Sequence, residues 1–173
     1  MTIPVVTIGL VSDTHGWLDP FCLEAFDGAD LIVHAGDIGR PHVLDQLREV
    51  APLLVVKGNI DGDPLHHLPL VDVAEVAGKR VASLHIAGTP WRPKPRAVKA
   101  IRDTRADLFV VGHSHMWAVG QVEGALWVNP GAAGRQGFHK QRTAARVHLD
   151  VAGEWSLERL ELGPRGRPKA RVG

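Results

Sequence analysis

The chain has one cysteine, Cys22, no tyrosine and almost no net charge. A single thiol cannot close an internal disulfide, and without a second cysteine there is no zinc knuckle. A lone cysteine in an apolar stretch is expected to be a small core residue. A formal charge of +1 over 173 residues gives no overall field that would draw the protein to nucleic acid or to a membrane surface. No run approaches the ~18 apolar residues of a membrane span. The opening MTIPVVTIGLV is apolar, but it has no basic leader and runs straight into Asp13. It reads as a first strand, not a signal peptide. These absences leave a cytoplasmic location as the expectation.

What is present has the composition of an ordinary globular protein, 45% apolar and 23% charged, long enough for one domain with a real core. Short runs rich in Val, Leu and Ile occupy 5–11, 31–35, 53–57, 80–85, 107–112 and 125–129. Several are nearly continuous, as expected of strands covered on both faces. Helical spacing groups Phe21, Ala25 and Phe26 within 20–29, Val43, Leu44, Leu47 and Val50 within 41–50, and Ala97, Val98 and Ile101 within 95–105. Pro41 suits a first helical turn, where its missing N–H is no loss. Beyond Met116 the pattern is β-rich, and VAGEW (151–155) reads as a hairpin turn. An α/β first half feeding a β-rich second half suggests two packed sheets with helices outside. One domain over 1–162 is expected, then a basic Pro/Gly-rich tail, 163–173, expected to be disordered.

Polar clusters follow those runs: Asp13-Thr14-His15, Gly36-Asp37, Gly58-Asn59-Ile60-Asp61, His85, Gly112-His113-Ser114-His115 and Asn129-Pro130-Gly131. Each falls at the carboxyl end of an expected strand, the edge where open α/β sheets place ligands. In extended chain, residues i and i+2 point to the same side, so Asp13 with His15, and His113 with His115, can each offer two ligands to one place. The glycines before Asp37, Asn59 and His113 are expected to supply tight turns with unusual backbone angles. Imidazoles and carboxylates without thiolate suit Mn²⁺, iron, Zn²⁺, Co²⁺ or Ni²⁺ better than Ca²⁺. Asp13, His15, Asp37, Asn59, His85, His113 and His115 are too many ligands for one catalytic zinc. They are the right number for two metals sharing a carboxylate.

The ordered set DxH, GD, GNxD, H, GHxH resembles the calcineurin-like metallophosphoesterase superfamily, from Asp13 to Gly131. The short length and the following NPG resemble its small bacterial and archaeal phosphodiesterase branch. The resemblance implies a four-layer α/β/β/α sandwich, two mixed β-sheets flanked by helices. It implies that Asp13, His15, Asp37 and His115 hold one metal and that Asp37, Asn59, His85 and His113 hold the other, with Asp37 as the bridge. Catalysis would centre on Asp37, Asn59 and His113. The implied cofactors are two divalent ions, manganese first, with nickel, iron, zinc and cobalt as alternatives. The implied activity is hydrolysis of a small phosphate ester, preferably a diester, by a metal-bridging hydroxide. Two divalent ions, two carboxylates and one hydroxide leave the site weakly positive, which attracts a phosphate anion.

Departures from the family pattern shape the expectation. Relatives often read GNHE, with a histidine that protonates the leaving oxygen; here that position is Ile60. A diester whose leaving group departs with little protonation is therefore expected. Ile86 follows His85 where relatives often have glycine, so His34 is the alternative ligand, although it reads better as a strand residue. Ala132-Ala133-Gly134 stands where the family often has serine. Asp61 is expected either to orient a ligand or to cap a turn, and Asn129 to buttress the site. Arg135 and Arg142 are candidates for binding substrate phosphate. Trp17, Trp91 and Trp117 could stack a nucleobase, though burial is the simpler reading. His42, His66, His67, His139 and His148 read as surface or loop residues. Two rivals stand beside a phosphodiesterase. One is a scaffold like the retromer subunit that shares this fold; the other is a phosphomonoesterase or dinucleoside polyphosphate hydrolase on the same metals. No membrane or nucleic-acid partner is expected, and self-association is left open.

Overall fold

In the computed structural model, which describes residues 4–166, two five-stranded sheets lie face to face. The first has the order β12-β11-β1-β2-β3: β1 (Pro4–Val11), β2 (Leu31–His34) and β3 (Leu53–Val55) run parallel, with β11 (Gln141–Asp150) and β12 (Trp155–Pro164) antiparallel beside β1. The second has the order β4-β5-β8-β10-β9. Its parallel centre is β5 (Lys79–Leu84), β8 (Leu108–Val111) and β10 (Ala125–Pro130), edged by antiparallel β4 (Val71–Val76) and β9 (Trp117–Val122). A two-residue pair, β6 (Gly88–Thr89) with β7 (Arg92–Pro93), forms a small flap.

The side-chain period of two explains the layers. Ile8, Leu10, Val33 and Val147 of the first sheet meet Val81, Leu108, Val110 and Val128 of the second in a shared inner core. On the outer face of the first sheet, Val11, Ile32 and Val55 pack on Cys22 and Phe26 and on Val43, Leu44 and Leu47. On the outer face of the second, Ala82, Phe109, Val111 and Trp127 pack on Ala97, Ala100 and Ile101. The helices supplying those residues are α1 (Pro20–Ala25), α2 (Pro41–Arg48) and α3 (Pro95–Thr104). The result is the expected four-layer α/β/β/α sandwich, and strands apolar on both faces are its consequence.

Each helix opens on a proline at its first position, where φ is preset and no N–H is wasted. Asp19 also caps α1, accepting from the Phe21 N–H at 2.9 Å. All three helices end earlier than apolar spacing suggests. α1 stops at Ala25 because the chain must turn into β2, through Gly28 at φ +76°. α3 stops where Arg105 takes a left-handed conformation. Strand β4 has no continuous apolar run to mark it in the sequence. VDVAEV alternates apolar and polar as an edge strand does, and Ala77-Gly78, both at positive φ, form its hairpin turn. β12 crosses the expected boundary at 162. It runs through Pro164, and the Arg165 N–H donates to Lys140 O at 2.9 Å. The rest of the expected tail, 167–173, lies outside the described residues. No helix among the described residues is long and apolar enough to cross a membrane.

Candidate metal centre

The carboxyl ends of β1, β2, β3, β5 and β8 meet along one edge of the sandwich. There the turns that follow them bring seven side chains into two groups. Ligand atoms of Asp13, His15, Asp37 and His115 lie within 4.8 Å of one another, as do those of Asp37, His85 and His113. Asn59 Oδ1 completes the second group, 3.1 Å from His85 Nε2 and 3.0 Å from His113 Nδ1. Asp37 belongs to both. Its Oδ2 faces His15 Nε2 at 3.6 Å, and its Oδ1 faces His85 Nε2 at 3.2 Å. Each group also holds one edge-to-face histidine pair, His15 with His115 and His85 with His113, with ring centroids 5.4 and 5.3 Å apart.

The backbone that aims these groups is strained at the ligands themselves. Asp13, His15, Asp37, His113 and His115 all have positive φ, between 47° and 73°. Each such residue costs on the order of 1–3 kcal/mol and persists only where surroundings enforce it. Backbone hydrogen bonds between neighbouring turns supply that enforcement: Asp13 N–H to Gly36 O and His15 N–H to Asp37 O, both at 3.0 Å. Of the preceding glycines only Gly36 has the unusual angle expected of all three. Gly58 and Gly112 serve close approach instead. A Cβ on Gly58 would sit 2.1 Å from Asp37 Oδ1, and one on Gly112 would sit 2.1 Å from Ser12 Oγ.

Proton placement shows what the groups are built to hold. His85 Nδ1 lies 2.7 Å from Ala35 O, which can only accept, so Nδ1 carries a proton and Nε2 faces Asp37 Oδ1 and Asn59 Oδ1. His139 Nε2 donates to Gly134 O at 2.9 Å, leaving its Nδ1 lone pair 3.1 Å from His115 Nδ1. His115 therefore carries its proton on Nδ1 and points a bare Nε2 at Asp13 Oδ1, 3.2 Å away. Asp13 Oδ2 is already satisfied by the Ser12 hydroxyl and the His113 N–H. Asp13 Oδ1 and His15 Nε2 are buried with no hydrogen-bond partner. Acceptors facing acceptors in a buried site call for a cation, and this donor set fits divalent transition metals.

The ionisation of these groups agrees. Burial pushes the Asp37 carboxyl up, but the hydrogen bond and charge of His85, the Ile60 N–H and His15 outweigh it, holding Asp37 below its ordinary value. Burial pushes His85 down, but its bond to Asp37 and the Asp13 carboxylate hold it above the usual imidazole range. Burial and the neighbouring His85 hold His113 below that range, against the pull of Asp13 and Asp37. A bound cation would take the place of the proton that the carboxylates draw onto His85.

Residues 6–152 match the calcineurin-like phosphoesterase superfamily domain. The chain belongs to that superfamily. A probable metallophosphoesterase of Methanocaldococcus jannaschii is 29% identical over 133 residues, which cover 72% of this chain and 67% of the relative. A single-site mutant of Vps29 from Entamoeba histolytica has a TM-score of 0.70 at 18% identity, covering 90% of this chain and 98% of that one. An archaeal phosphodiesterase has a TM-score of 0.66 at 20% identity, covering 89% and 99%. At such identities these two structures share the fold.

The residues expected around the ligands divide sharply. Asp61 caps turns: its carboxylate accepts from the N–H groups of Ile38, Gly39 and Gly58 at 3.2, 3.0 and 2.8 Å, tying the Asp37 turn to the Asn59 turn. Asn129 does the same for the GHxH turn, donating to Gly112 O and Ser114 Oγ and accepting from the Gly131 N–H. Arg142 is not a substrate ligand. It is 2% exposed, and its guanidinium is consumed by Asp19, Leu162 O and Pro164 O. Arg135 lies over the Trp17 ring, 4.0 Å from its centroid, with Arg142 at 4.9 Å from the same centroid. Neither that ring nor Arg135 lines the hollow over the ligands. Arg159 lies over Trp117, while Trp91 stands exposed on the flap. His34 is a buried strand residue whose Nε2 bonds Thr14 Oγ1, so it does not replace His85. Ala132, Ala133 and Gly134 pack beneath the first ligand turn, with the Ala133 and Gly134 N–H groups on Ser12 O and Asp13 O. His139 lies in a loop, as its sequence reading has it, and from there it orients His115, a role the sequence did not signal.

Proposed function

We propose that this member of the superfamily is a binuclear metal-dependent phosphodiesterase, hydrolysing one ester bond of a small phosphodiester. The observation carrying this reading is the Asp37 carboxylate, which presents one oxygen to each of two groups of candidate ligands. Asp13, His15, Asp37 and His115 would hold one divalent ion; Asp37, Asn59, His85 and His113 would hold the other. A bound pair supplies an activated water and offsets charge on the phosphoryl oxygens. Asp37 keeps the groups in register, Asn59 ligates through a neutral amide oxygen that preserves the attraction for an anion, and Asp61 and Asn129 hold the turns. The water oxygen bonds phosphorus as the P–O bond to the leaving group breaks, and the water's proton ends on the released alcohol or in solvent.

Ile60, 45% exposed at the rim of the hollow, supports the diester preference. It offers no proton to a leaving oxygen, which disfavours poor alkyl leaving groups. Manganese is the first metal proposed for both groups. The rival is a catalytically weak scaffold resembling Vps29, which would need an apolar docking surface: exposed Ile60, Leu70, Val71, Met116 and Phe138 line hollows at the ligand edge, while Val5, Phe21, Trp91, Val119 and Val151 are exposed outside those hollows.

The test is hydrolysis of bis-p-nitrophenyl phosphate by metal-stripped protein with Mn²⁺, Ni²⁺, Zn²⁺ or Mg²⁺ restored. Activity should return with a transition metal. Asp37→Ala should lower it by more than the ~100-fold typical of losing an outer partner of a ligand. p-Nitrophenyl phosphate turning over as fast as the diester would overturn the diester preference. No turnover by protein that binds two ions would overturn the enzyme reading.

A further inference from the structure

Three hollows run together along the ligand edge. The central one, about 350 Å³, lies over His15, Asp37, Asn59, His113 and His115. A cleft of about 530 Å³ adjoins it through Asn59 and reaches back to His85. A third, of about 410 Å³, adjoins through His115 and Phe138. One side cleft thus borders each group of ligands. A phosphodiester with phosphorus over the central hollow has an arm for each, whereas a monoester leaves one empty.

The larger cleft has a distinct chemistry. Its walls are Leu70, Val71, Leu84 and Ile86, with Leu70 and Val71 60% and 37% exposed. These side chains, on and beside edge strand β4 and at the end of β5, are surfaces an apolar group would cover. Lys57 and Arg96 also line it. Among the described residues neither is held by an acid within ion-pair distance; the Lys and Arg pairs involve other residues. The acid in the lining, Asp61, has its carboxylate turned to three backbone N–H groups. The cleft therefore joins an apolar wall to two free cations.

We propose that this cleft receives one ester arm of the substrate, and that this arm is apolar or aromatic next to the phosphodiester and carries an oxyanion of its own farther out. Leu70, Val71 and Ile86 cover the apolar part; Lys57 and Arg96 meet the oxyanion, the guanidinium being suited to a bidentate contact with carboxylate or phosphate. The inference rests on the phosphodiesterase reading and names its substrate class.

The test compares p-nitrophenyl diesters whose second arm is phenyl, 4-carboxyphenyl, 4-phosphonophenyl or 4-(trimethylammonio)phenyl, with p-nitrophenolate release as the signal. The anionic arms should lower KM about tenfold against phenyl, as two partly exposed charge contacts would, and the cationic arm should raise it. Comparing carboxylate with phosphonate shows which oxyanion is preferred. Arg96→Glu and Lys57→Glu should bring the KM ratio of anionic to neutral arms toward one or invert it. Arg48→Glu, on α2, should leave that ratio alone. High salt should shrink the ratio in the native protein, a readout that needs no variant. A ratio near one in native protein, or one untouched by either reversal, overturns the inference while turnover of the phenyl ester leaves the parent reading standing. Failure of all four esters with every metal removes both.

Discussion

Asp37 and His139 act on the ligand set in different ways, one by joining two groups of lone pairs and the other by setting a single proton. His139→Phe keeps a ring near the 5.0 Å edge-to-face contact with His115 but removes the acceptor at 3.1 Å. Affinity for one of two Mn²⁺ ions should fall about 10–100-fold, as outer-shell losses do, with the other ion little changed by calorimetry. In metal-free protein, ¹⁵N shifts should report the Nδ1–H tautomer of His115 in the native chain and a mixture in the variant. An unchanged tautomer would remove this role. His34 is a second single-residue case. Burial outweighs the raising effect of nearby acids and depresses its pKa to about 4. The unfolded chain binds the proton more readily, so the native state is favoured above pH 6.5 and loses that advantage as pH falls toward 4. Denaturant titrations should show His34→Asn less sensitive to acid over this window, by up to about 3 kcal/mol.

At the scale of elements, Arg142 is a clasp. It sits on β11 yet bonds Asp19 at the start of α1 and carbonyls at the end of β12. Arg142→Ala leaves Asp19 and those carbonyls without their donor in a buried place, and should cost about 3–5 kcal/mol in denaturant melts. Loss of activity should follow loss of folding and not a change in KM. The type of the main elements was readable in the sequence. Continuous apolar runs marked the parallel strands, and helical spacing with an initial proline marked the helices. Their ends were less readable, because Arg105 stops α3 through a left-handed backbone angle that tertiary packing selects, and α1 has already ended at Ala25 when the chain turns through Gly28. The alternating β4 needed the period-two pattern to be weighed as heavily as apolar density.

For the whole molecule, the candidate ligand turns lie at the seam between sheets. Four of them come from β1, β2, β5 and β8, so filling both metal groups should stabilise the entire domain. At metal concentrations about 100-fold over Kd, each site should add about 2.7 kcal/mol, roughly 5–11 °C in Tm per site for a chain of this size. Scanning calorimetry of metal-loaded and chelator-treated protein checks this. A Tm indifferent to chelator would mean that the ligand cluster does not hold ions in the native fold.

By itself the sequence determined the family, the layers and the seven candidate ligands. It could do so because those residues recur in order at strand ends, and strand ends in an α/β sandwich converge on one edge. Only the tertiary structure decided which neighbours serve the site. His139 reaches His115 across 24 residues, Asp61 binds a turn 23 residues away, and Arg142 reaches Asp19 across 123 and so leaves the candidate site altogether. The positive φ angles fell on the ligands and not on all the glycines before them. Such choices depend on which turns end up side by side, and that is set by the pairing of distant strands, which no local spacing records.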